Sequence, residues 1–257
     1  MPEVATRPKG TRPEGAQSEA DAGRKVREMF TQIAPRYDLL NHLLSLQLDR
    51  LWRTRAARRL QAILQRPDAL VLDLCCGTGD LALTFARAGK ARVVGADFSH
   101  AMLVRANQKA KTLAHSNTKA IELLPFAEAD ALRLPFADAS FDLVATAFGF
   151  RNLANYEDGL KGIRRVLKPG GTVAILEFAE PSAGWLGDLY SWYFHNVLPR
   201  IGGLISGDRS AYTYLPRSVS RFFRPSELSA LLSSVGYNSV QFETWTLGTV
   251  ALHTATL

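Results

Sequence analysis

Apolar residues recur at helical spacing before the chain reaches its first strand-like run. The spacing i, i+3, i+4, i+7 appears twice, in Val26, Met29, Phe30, Ile33 and again in Trp52, Ala56, Leu60, Ile63. We therefore predict two or three helices, which together form an N-terminal helical cap over residues 23–68.

From residue 69 onward, strand-like and helix-like segments alternate. Apolar runs predict strands at 69–76, 91–98, up to about 129, 141–148, 172–178, 238–243 and 249–255. Amphipathic runs predict helices at 79–89, 99–114 (with Ser99 as N-cap), about 156–167 and 225–236, and a KPGG turn at 168–171. This alternation indicates an α/β fold with a doubly wound, seven-stranded, mostly parallel sheet, whose ligands lie beyond the carboxyl ends of the strands.

Two segments depart from the alternation. Residues 1–22 are rich in Pro, Gly, Ala and charge, and they lack the apolar stretch of a signal peptide, so we predict a disordered tail. Residues 181–224 form an aromatic, glycine-interrupted insertion. The remainder is a single domain over 23–257, with its core at 69–180 and a C-terminal helix and strand pair at 225–257.

Composition narrows the partners and the compartment. The formal charge of +7 favours an anionic partner, either nucleic acid or a lipid surface. The six arginines of residues 50–66 invite the same idea, although they spread around the helical wheel and fit a solvated, core-packed helix equally well. No run approaches the roughly 18 to 20 apolar residues of a membrane span, so any membrane contact would be peripheral.

Several chemistries find no support in the sequence. Cys75 and Cys76 are adjacent, so they indicate no disulfide framework, a reducing cytoplasm and two thiols packed in a turn. The five histidines show no metal-ligand spacing, and no H-E-x-x-H or C-x-x-C occurs, which predicts no metal site. The chain also lacks the G-x-S-x-G elbow of hydrolases.

A glycine turn follows the first predicted strand, in the stretch LDLCCGTGDLA (72–82). Its GTGDLA part fits the dinucleotide pattern G-x-G-x-x-G/A, and Asp97 closes the next strand where a ribose-binding acid belongs, so NAD is a competitor. A phosphate loop fits less well because no G-K-[ST] follows. Asp73, two residues before the turn, suits a cationic ligand and sits badly beside a pyrophosphate.

Longer stretches carry a family resemblance. VLDLCCGTGDLA, GADFSHAML, EADALRLPF, FDLVATAFGFRNL and RRVLKPGG, in this order, resemble class I S-adenosylmethionine-dependent methyltransferases. Over residues 24–257 the chain is further similar to the ubiquinone/menaquinone biosynthesis C-methyltransferases. The stretches that carry this likeness are MFTQIAPRYDLLNHLLSLQLDRLWR (29–53), FGFRNL (148–153), SAYTYLPRSVSRF (210–222) and GTVALH (248–253).

The resemblance implies S-adenosylmethionine as cofactor and assigns its contacts. It implies that the methionine and ribose parts lie along Gly77, Thr78 and Gly79, that Asp97 holds the ribose hydroxyls, and that the adenine borders Asp130 and Ala131. Asp73 offsets the ammonium and sulfonium charges. Two departures stand out: Ala147 replaces a serine of some relatives, and Gln47 replaces a glycine of many ubiquinone-type members.

The resemblance also implies the reaction, methylation of a ring carbon on a prenylated quinol. Arg151 is the predicted cation beside the developing oxyanion, with a structural ion pair as an equally open alternative. Asn152 is the predicted donor to a ring oxygen, and Tyr37 a residue that reaches over from the N-terminal helices. The proton acceptor stays open among His195, Asp38 and water. Because the implied substrates carry polyprenyl tails, we favour a mobile apolar lid over a core insertion for residues 185–207.

Gln47 and the cysteine pair favour demethylmenaquinol as substrate. A prenylated methoxy-benzoquinol, or both quinols, remains an alternative, as does a non-catalytic cofactor-binding scaffold. A nucleic-acid methyltransferase is disfavoured because no [DN]-P-P-[YFW] stretch follows the fourth strand. The expected setting is the cytoplasm, with transient contact at the inner face of the membrane, a polyprenylated naphthoquinol partner, no nucleic acid, and a homo-oligomer left open.

Overall fold

The computed structural model describes residues 9–45, 47–114, 124–179, 214 and 217–257. The N-terminal part holds α1 (Glu19–Ile33), a 3₁₀ turn (Ala34–Arg36), α2 (Tyr37–Leu44), α3 (Leu48–Arg59) and α4 (Gln61–Leu64). It is more broken than the predicted two or three helices, because Pro35 enters the 3₁₀ turn and Gln47 takes a left-handed φ of 66° before α3.

The described residues form a seven-stranded sheet, which confirms the predicted architecture. Its strands are β1 (Leu70–Leu74), β2 (Arg92–Asp97), β3 (Phe126–Glu128), β4 (Phe141–Ala147), β5 (Leu167–Phe178), β6 (Asn238–Trp245) and β7 (Val250–Thr256). Their order is β3-β2-β1-β4-β5-β7-β6. Strand β7 runs antiparallel to both of its neighbours, β5 and β6, and the other six strands share one direction. The strand order reverses at β1, which lies between β2 and β4, so the ligand crevice is expected at that point.

Strand β5 begins earlier than predicted. The sequence places a turn at 168–171, whereas the structure carries β5 through those residues with a register shift: Leu167 pairs with Phe141, and Thr172 pairs with Leu143. Gly170 takes a φ of 75°, a conformation that favours glycine, so the extra residues bulge without ending the strand.

Four further helices pack on the two faces of the sheet. They are α5 (Asp80–Ala88), α6 (His100–Ala114), α7 (Tyr156–Val166) and α8 (Pro225–Ser234). One buried cluster joins Trp52 and Phe85 to one face, and a second joins Leu160 and Leu228 to the other. Asn155 caps α7 by accepting from the Asp158 backbone N–H at 3.1 Å. These two cores hold the carboxyl ends of β1, β2 and β4 in fixed positions.

The N-terminal segment differs from the predicted tail. Over residues 9–18 the chain packs on the loop before α7: the Thr11 N–H donates to Leu153 O at 2.7 Å, and the Tyr156 N–H donates to Lys9 O at 2.8 Å. From Glu19 the chain is helical. Composition alone missed this order, because backbone hydrogen bonds to a partner segment leave no compositional signal. Residues 1–8 and nearly all of the predicted lid (181–224) lie outside the described residues.

No helix among the described residues is long and apolar enough to cross a membrane. No group of three or more His, Cys, Asp or Glu in that part of the chain could hold a metal ion.

Candidate active site

A cavity of about 620 Å³ lies above the carboxyl ends of β1, β2 and β4 and beneath α1 and α2. A second cavity of about 80 Å³ adjoins it on the side of α3. Both are lined by the residues Tyr37, Cys75, Gly77, Ala147 and Phe148. The large cavity has the volume of a cofactor pocket, and the small one extends it toward β5.

The turn between β1 and α5 brings backbone close to these cavities. Cys75, Gly77 and Gly79 have positive φ values of 57°, 55° and 82°. A Cβ at Gly79 would lie 3.0 Å from the Phe126 ring, so only glycine combines this φ with this packing. The turn has the geometry that the sequence predicted for a nucleoside ligand.

Asp97 lies at the end of β2, in the wall of the large cavity. Its Oδ2 accepts from the Gly77 N–H and its Oδ1 from the Ser99 N–H, both at 2.9 Å. Burial raises the pKa of Asp97 to about 6, although these hydrogen bonds act in the opposite direction. Each carboxylate oxygen has a second lone pair, so Asp97 can still accept from two vicinal hydroxyls. Ser99, the predicted N-cap, bonds through its hydroxyl to Thr31 at 3.0 Å.

Asp73 lies deeper, in the wall of the small cavity. Its side chain is 1% exposed, and Oδ2 accepts from the Ala82 backbone N–H at 2.8 Å. Burial raises the pKa of Asp73 to about 8. A buried carboxylate favours the approach of a cation, because the cation stabilises its charged form. This arrangement fits the role predicted for Asp73 beside a positively charged ligand.

Thr78 has a different surrounding from the predicted one. Its hydroxyl donates to Asp38 Oδ1 at 2.5 Å and accepts from Lys109 at 3.0 Å, and Lys109 also pairs with Asp38 at 2.8 Å. The Thr78 side chain therefore fastens α2 to the glycine turn and to α6, and only its backbone is left for a ligand. Asp38, a candidate proton acceptor, has both carboxylate oxygens engaged in the same contacts.

Asp130 and Ala131 line the far end of the large cavity, after β3. Asp130 is exposed, and its Oδ1 accepts from the Leu132 N–H at 2.9 Å, whereas Ala131 is buried. Their position beyond β2 and β3 matches the predicted adenine border. The carboxylate shapes a loop turn while remaining open to solvent.

Tyr37, at the start of α2, stands where the two cavities meet. Its ring lies 3.7 Å from the Cβ position of Gly77 and edge-on to Phe30, with ring centres 6.0 Å apart. Burial raises the pKa of Tyr37 to about 12, so the hydroxyl keeps its proton at neutral pH. The structure thus places Tyr37 over the turn, as predicted, where it can act as a hydrogen-bond donor.

Arg151 lies in a 3₁₀ turn (Phe150–Asn152) just after β4 and is 6% exposed. Its Nη1 donates to Glu177 Oε2 at 2.8 Å and to Phe148 O at 2.5 Å, and its backbone N–H donates to Glu177 Oε1 at 3.1 Å. Its Nε is buried and has no hydrogen-bond partner among the described residues. The guanidinium lies 5.3 Å from the centre of the Phe178 ring, and both side chains line the small cavity.

Asn152 lines the large cavity and is 9% exposed. Its Oδ1 accepts from the Tyr214 hydroxyl at 3.0 Å, and its Nδ2 approaches Phe148 O at 3.4 Å. The structure thus places Asn152 in the large cavity and Arg151 in the small one, with Tyr37 lining both. His195, another candidate, lies outside the described residues.

The sequence analysis missed Glu177 and the aromatic wall of the small cavity. Glu177 is the last polar residue of the apolar run TVAILEF, and a carboxylate at the carboxyl end of a buried strand was the available signal. The rings of Phe148 and Phe178 lie 4.6 Å apart, with Trp52 behind them at 5.8 and 6.0 Å. They form an apolar wall beside the Arg151 guanidinium.

Cys75 and Cys76 are free thiols in the turn, and Cys76 is buried. Burial raises the pKa of both thiols well above the usual value, so neither is a thiolate at neutral pH. Cys76 is packed in the turn as predicted, whereas Cys75 is half-buried and lines both cavities. Of the six arginines at 50–66, Arg53 pairs with Asp49 and Asp80, Arg55 and Arg59 pair with Glu243, and Arg66 pairs with Asp68 and Asp142. These ion pairs support the interpretation as a core-packed helix.

The electrostatics of the crevice separate the candidate cofactors. A pyrophosphate would meet the buried Asp73, whereas a nucleoside that carries a sulfonium and an ammonium group would find a counter-charge there. The fold and the site therefore define a methyltransferase that uses S-adenosylmethionine. The chain belongs to the ubiE/COQ5 methyltransferase family, whose model matches residues 18–257.

Curated relatives match along most of the chain. It is 49% identical over 226 residues to the demethylmenaquinone methyltransferase of Thermus thermophilus, covering 88% of this chain and 98% of that protein. It is 48% identical to the demethylmenaquinone methyltransferase of Deinococcus radiodurans, covering 85% and 87%. The ubiquinone/menaquinone biosynthesis C-methyltransferase UbiE of Geotalea daltonii is 40% identical, covering 91% and 97%.

Solved structures agree with the fold. A possible histamine N-methyltransferase of Thermotoga maritima matches with a TM-score of 0.63 at 18% identity, covering 89% of this chain and 98% of that one. The [4+2]-cyclase SpnF matches with a TM-score of 0.65 at 17% identity, covering 96% and 98%. Since one of these neighbours is named a cyclase, the fold alone does not define the reaction. The reaction has to be argued from the residues of the site.

Proposed function

We propose that the protein transfers a methyl group from S-adenosylmethionine to a ring carbon of demethylmenaquinol and so forms menaquinol. The observation that carries this proposal is the pair of adjoining cavities: Tyr37 lines both, the buried Arg151 lines the small one, and Asn152 lines the large one. Relatives that share 48–49% identity are named demethylmenaquinone methyltransferases, which supports the naphthoquinol as substrate.

The residues present fit the cofactor. Gly77 and Gly79 let the backbone approach it, Asp97 can accept from its ribose hydroxyls, and Asp73 can face its positive charges. When bound, S-adenosylmethionine supplies an electrophilic methyl group on a sulfonium sulfur. Holding that group and the ring carbon in line can contribute about 7 to 11 kcal/mol, so the protein needs no nucleophilic side chain of its own.

The reduced quinol is the nucleophile, because the oxidised quinone is electron-poor at carbon. A phenol of pKa about 10 costs about 4 kcal/mol to ionise at pH 7. Arg151 offsets this cost by placing a fixed positive charge beside the developing oxyanion. With the cofactor held along Gly77 and Asp97, Arg151 would stabilise the quinol oxyanion while the ring carbon takes up the methyl group, and the proton that this carbon then loses would pass to one of the candidate acceptors.

Tyr37 and Asn152 orient the ring in this proposal. Because the pKa of Tyr37 is raised to about 12, its hydroxyl stays protonated and can donate to a quinol oxygen. The Asn152 amide can donate to the other oxygen. Phe148 and Phe178 supply an aromatic face against which the ring can stack. Among the candidate proton acceptors, Asp38 is disfavoured by its contacts with Thr78 and Lys109, which leaves His195 and water to be tested.

A prenylated methoxy-benzoquinol is the second candidate substrate. It is favoured by relatives such as the Geotalea daltonii protein, whose name includes ubiquinone as well as menaquinone biosynthesis. The residues at the cavity junction would serve either ring, since both present two oxygens across an aromatic system. The choice between them is therefore a matter for direct assay.

The proposal includes transient contact with the inner face of the cytoplasmic membrane, where a polyprenylated quinol resides. Leu39 on α2 and Leu51 on α3 are 61% and 58% exposed, and Arg50 beside Leu51 is exposed as well. A basic side chain near anionic lipid contributes about 1 kcal/mol, which permits docking without permanent anchoring. Flotation with phosphatidylglycerol vesicles should succeed at low salt and fail for Leu39→Glu with Leu51→Glu; salt-independent flotation of that variant would contradict this part.

The reaction is tested by transfer of labelled methyl from S-adenosylmethionine to chemically reduced demethylmenaquinone and, in parallel, to a prenylated methoxy-benzoquinol. We expect labelling of the naphthoquinol and its loss in Arg151→Ala. Labelling of both quinols would mean that the pocket does not discriminate between the rings. Cofactor binding without labelling of either would refute the substrate assignment and favour the scaffold alternative.

A further inference from the structure

Residues 9–14 form a short segment, here called the strap, that lies across the turn after β4. This segment precedes residues 18–257, over which the family model matches. The Thr11 N–H donates to Leu153 O at 2.7 Å, Lys9 O accepts from the Tyr156 N–H at 2.8 Å, and Arg12 Nη1 donates to Ala154 O at 2.8 Å. A Cβ at Gly10 would lie 1.9 Å from Ala154 O, so the strap fits against the turn backbone only with glycine there.

The strap leads by hydrogen bonds into the active site. The Thr11 hydroxyl, 6% exposed, lies 2.8 Å from the Tyr214 hydroxyl, which donates to Asn152 Oδ1 at 3.0 Å. A tyrosine has one hydroxyl proton, and it is used for Asn152, so Thr11 is the donor to Tyr214. The strap is joined to the same part of the chain a second time, because Glu14 pairs with Arg217 at 2.7 Å.

We propose that Thr11 and Tyr214 are positioning residues, which hold the Asn152 amide so that one Nδ2 N–H points to Phe148 O and the other is available to the quinol oxygen. An asparagine amide can rotate by half a turn and exchange its oxygen with its nitrogen at little cost. Phe148 O, which can only accept, lies 3.4 Å from Nδ2 and favours one orientation of the amide. The Tyr214 hydroxyl supports the same orientation by donating to Oδ1, whereas the flipped amide would bring Oδ1 against Phe148 O and oblige the Tyr214 hydroxyl to turn toward Thr11. The flipped state would present an acceptor to the quinol oxygen, which is the wrong group for a developing negative charge.

This inference rests on the proposed function, because it assumes that Asn152 contacts the quinol. Neither Thr11 nor Tyr214 lines the two described cavities. Their removal should therefore act on the chemical step through Asn152 and leave cofactor binding alone.

The test compares Thr11→Val with Thr11→Ser, together with Tyr214→Phe, in the full chain. Valine keeps the shape and the backbone N–H of Thr11 but removes the hydroxyl, whereas serine keeps the hydroxyl. We expect Thr11→Val and Tyr214→Phe to lower kcat about tenfold, because the loss of one orienting hydrogen bond is of that order. We expect Thr11→Ser to restore kcat, and the affinity for S-adenosylmethionine, measured by titration calorimetry, to stay unchanged in all three.

A double-variant cycle with Asn152→Ala distinguishes positioning from general support of the fold. If Thr11 acts through Asn152, Thr11→Val should cause no further loss of kcat once the amide is absent. Full kcat in both Thr11→Val and Tyr214→Phe, while Asn152→Ala is impaired, would overturn the positioning role and leave the proposed function intact. Full kcat in Asn152→Ala itself would instead refute the quinol contact of Asn152. An equal loss from Thr11→Val with and without the amide would also overturn the proposal.

Discussion

Two buried ionisable side chains, Asp73 and Arg151, line the small cavity, and their surroundings differ. Asp73 accepts a backbone N–H and has its pKa raised to about 8, whereas Arg151 is held by the carboxylate of Glu177 at 2.8 Å. In the proposed reaction the cofactor is positively charged before it binds. Asp73 can therefore stay protonated until the cofactor binds beside it. The negative charge on the quinol would exist only during the reaction. Arg151 therefore needs another counter-charge in the free protein, and the Glu177 carboxylate supplies it.

Glu177→Gln tests the ion pair between Arg151 and Glu177 and should give the largest effect. It leaves the Arg151 guanidinium buried without a counter-charge, so we expect the free energy of unfolding to fall by about 3 to 5 kcal/mol. Urea unfolding followed by circular dichroism measures this loss. Arg151→Met together with Glu177→Gln is the matched control, because it removes both charges and should recover most of the stability. If the double variant were less stable than Glu177→Gln alone, the two residues would not act as a pair.

Arg151→Ala tests the acceptor side directly. We expect kcat to fall about 10²- to 10³-fold, the usual loss when one stabilising donor to an oxyanion is removed. The affinity for S-adenosylmethionine should stay near that of the wild type, since Arg151 does not line the large cavity, whose wall holds Asp97 and Asp130. Single-turnover labelling at saturating cofactor separates the two quantities. A weaker cofactor affinity with unchanged kcat would mean that Arg151 binds the cofactor and does not stabilise the quinol oxyanion.

Asp97→Asn tests the other side of the crevice. A hydrogen bond to a charged group contributes about 1.5 to 3 kcal/mol, so we expect the affinity for S-adenosylmethionine to fall by about 10- to 100-fold. The rate at saturating cofactor should change little. Asp130→Asn is a suitable comparison because that carboxylate is exposed, and its effect in the same calorimetric titration should be smaller. The reverse order would place the ribose nearer to Asp130.

The cofactor side was predictable from the sequence because its chemistry is local. The glycine turn, Asp73 and Asp97 lie within 25 residues of one another on two consecutive strands, and the chain direction alone places them at one edge of the sheet. The exception is Thr78. Its hydroxyl contacts Asp38 and Lys109, which come from helices before and after the turn, and no spacing rule indicates such a contact.

The acceptor side was predictable only in part because its contacts are distant in sequence. Arg151 and Asn152 were found from the resemblance, but Glu177 lies 26 residues away on another strand. Thr11 lies 203 residues from Tyr214, within a segment whose composition predicts disorder. Hydrogen bonds between such segments depend on the packing of the whole domain, so the strap could be recognised only in three dimensions.

Because Asp73 is protonated in the free protein at neutral pH, cofactor binding should release a proton. Because burial raises the pKa of Asp73 to about 8, the folded protein without cofactor binds more protons than the unfolded chain at pH 7. Asp73 therefore lowers the free energy of unfolding as the pH rises through the window between its unfolded value, about 4, and its folded value, about 8. A bound cation reverses this by favouring the carboxylate, so cofactor binding at pH 7 should release up to about one proton.

Calorimetric titrations in buffers of different ionisation enthalpy measure this proton directly. The sign follows from the pKa shift: the cofactor lowers the pKa of Asp73, so the proton is released, and the affinity rises as the pH approaches 8. Asp73→Asn should abolish most of the release, while a smaller contribution from Asp97, with its pKa at about 6, persists. S-adenosylhomocysteine lacks the sulfonium charge and should release fewer protons than S-adenosylmethionine. Equal release by wild type and Asp73→Asn would mean that the cofactor's charge is met elsewhere in the crevice, and the contrast between Asp73 and Arg151 would then fail.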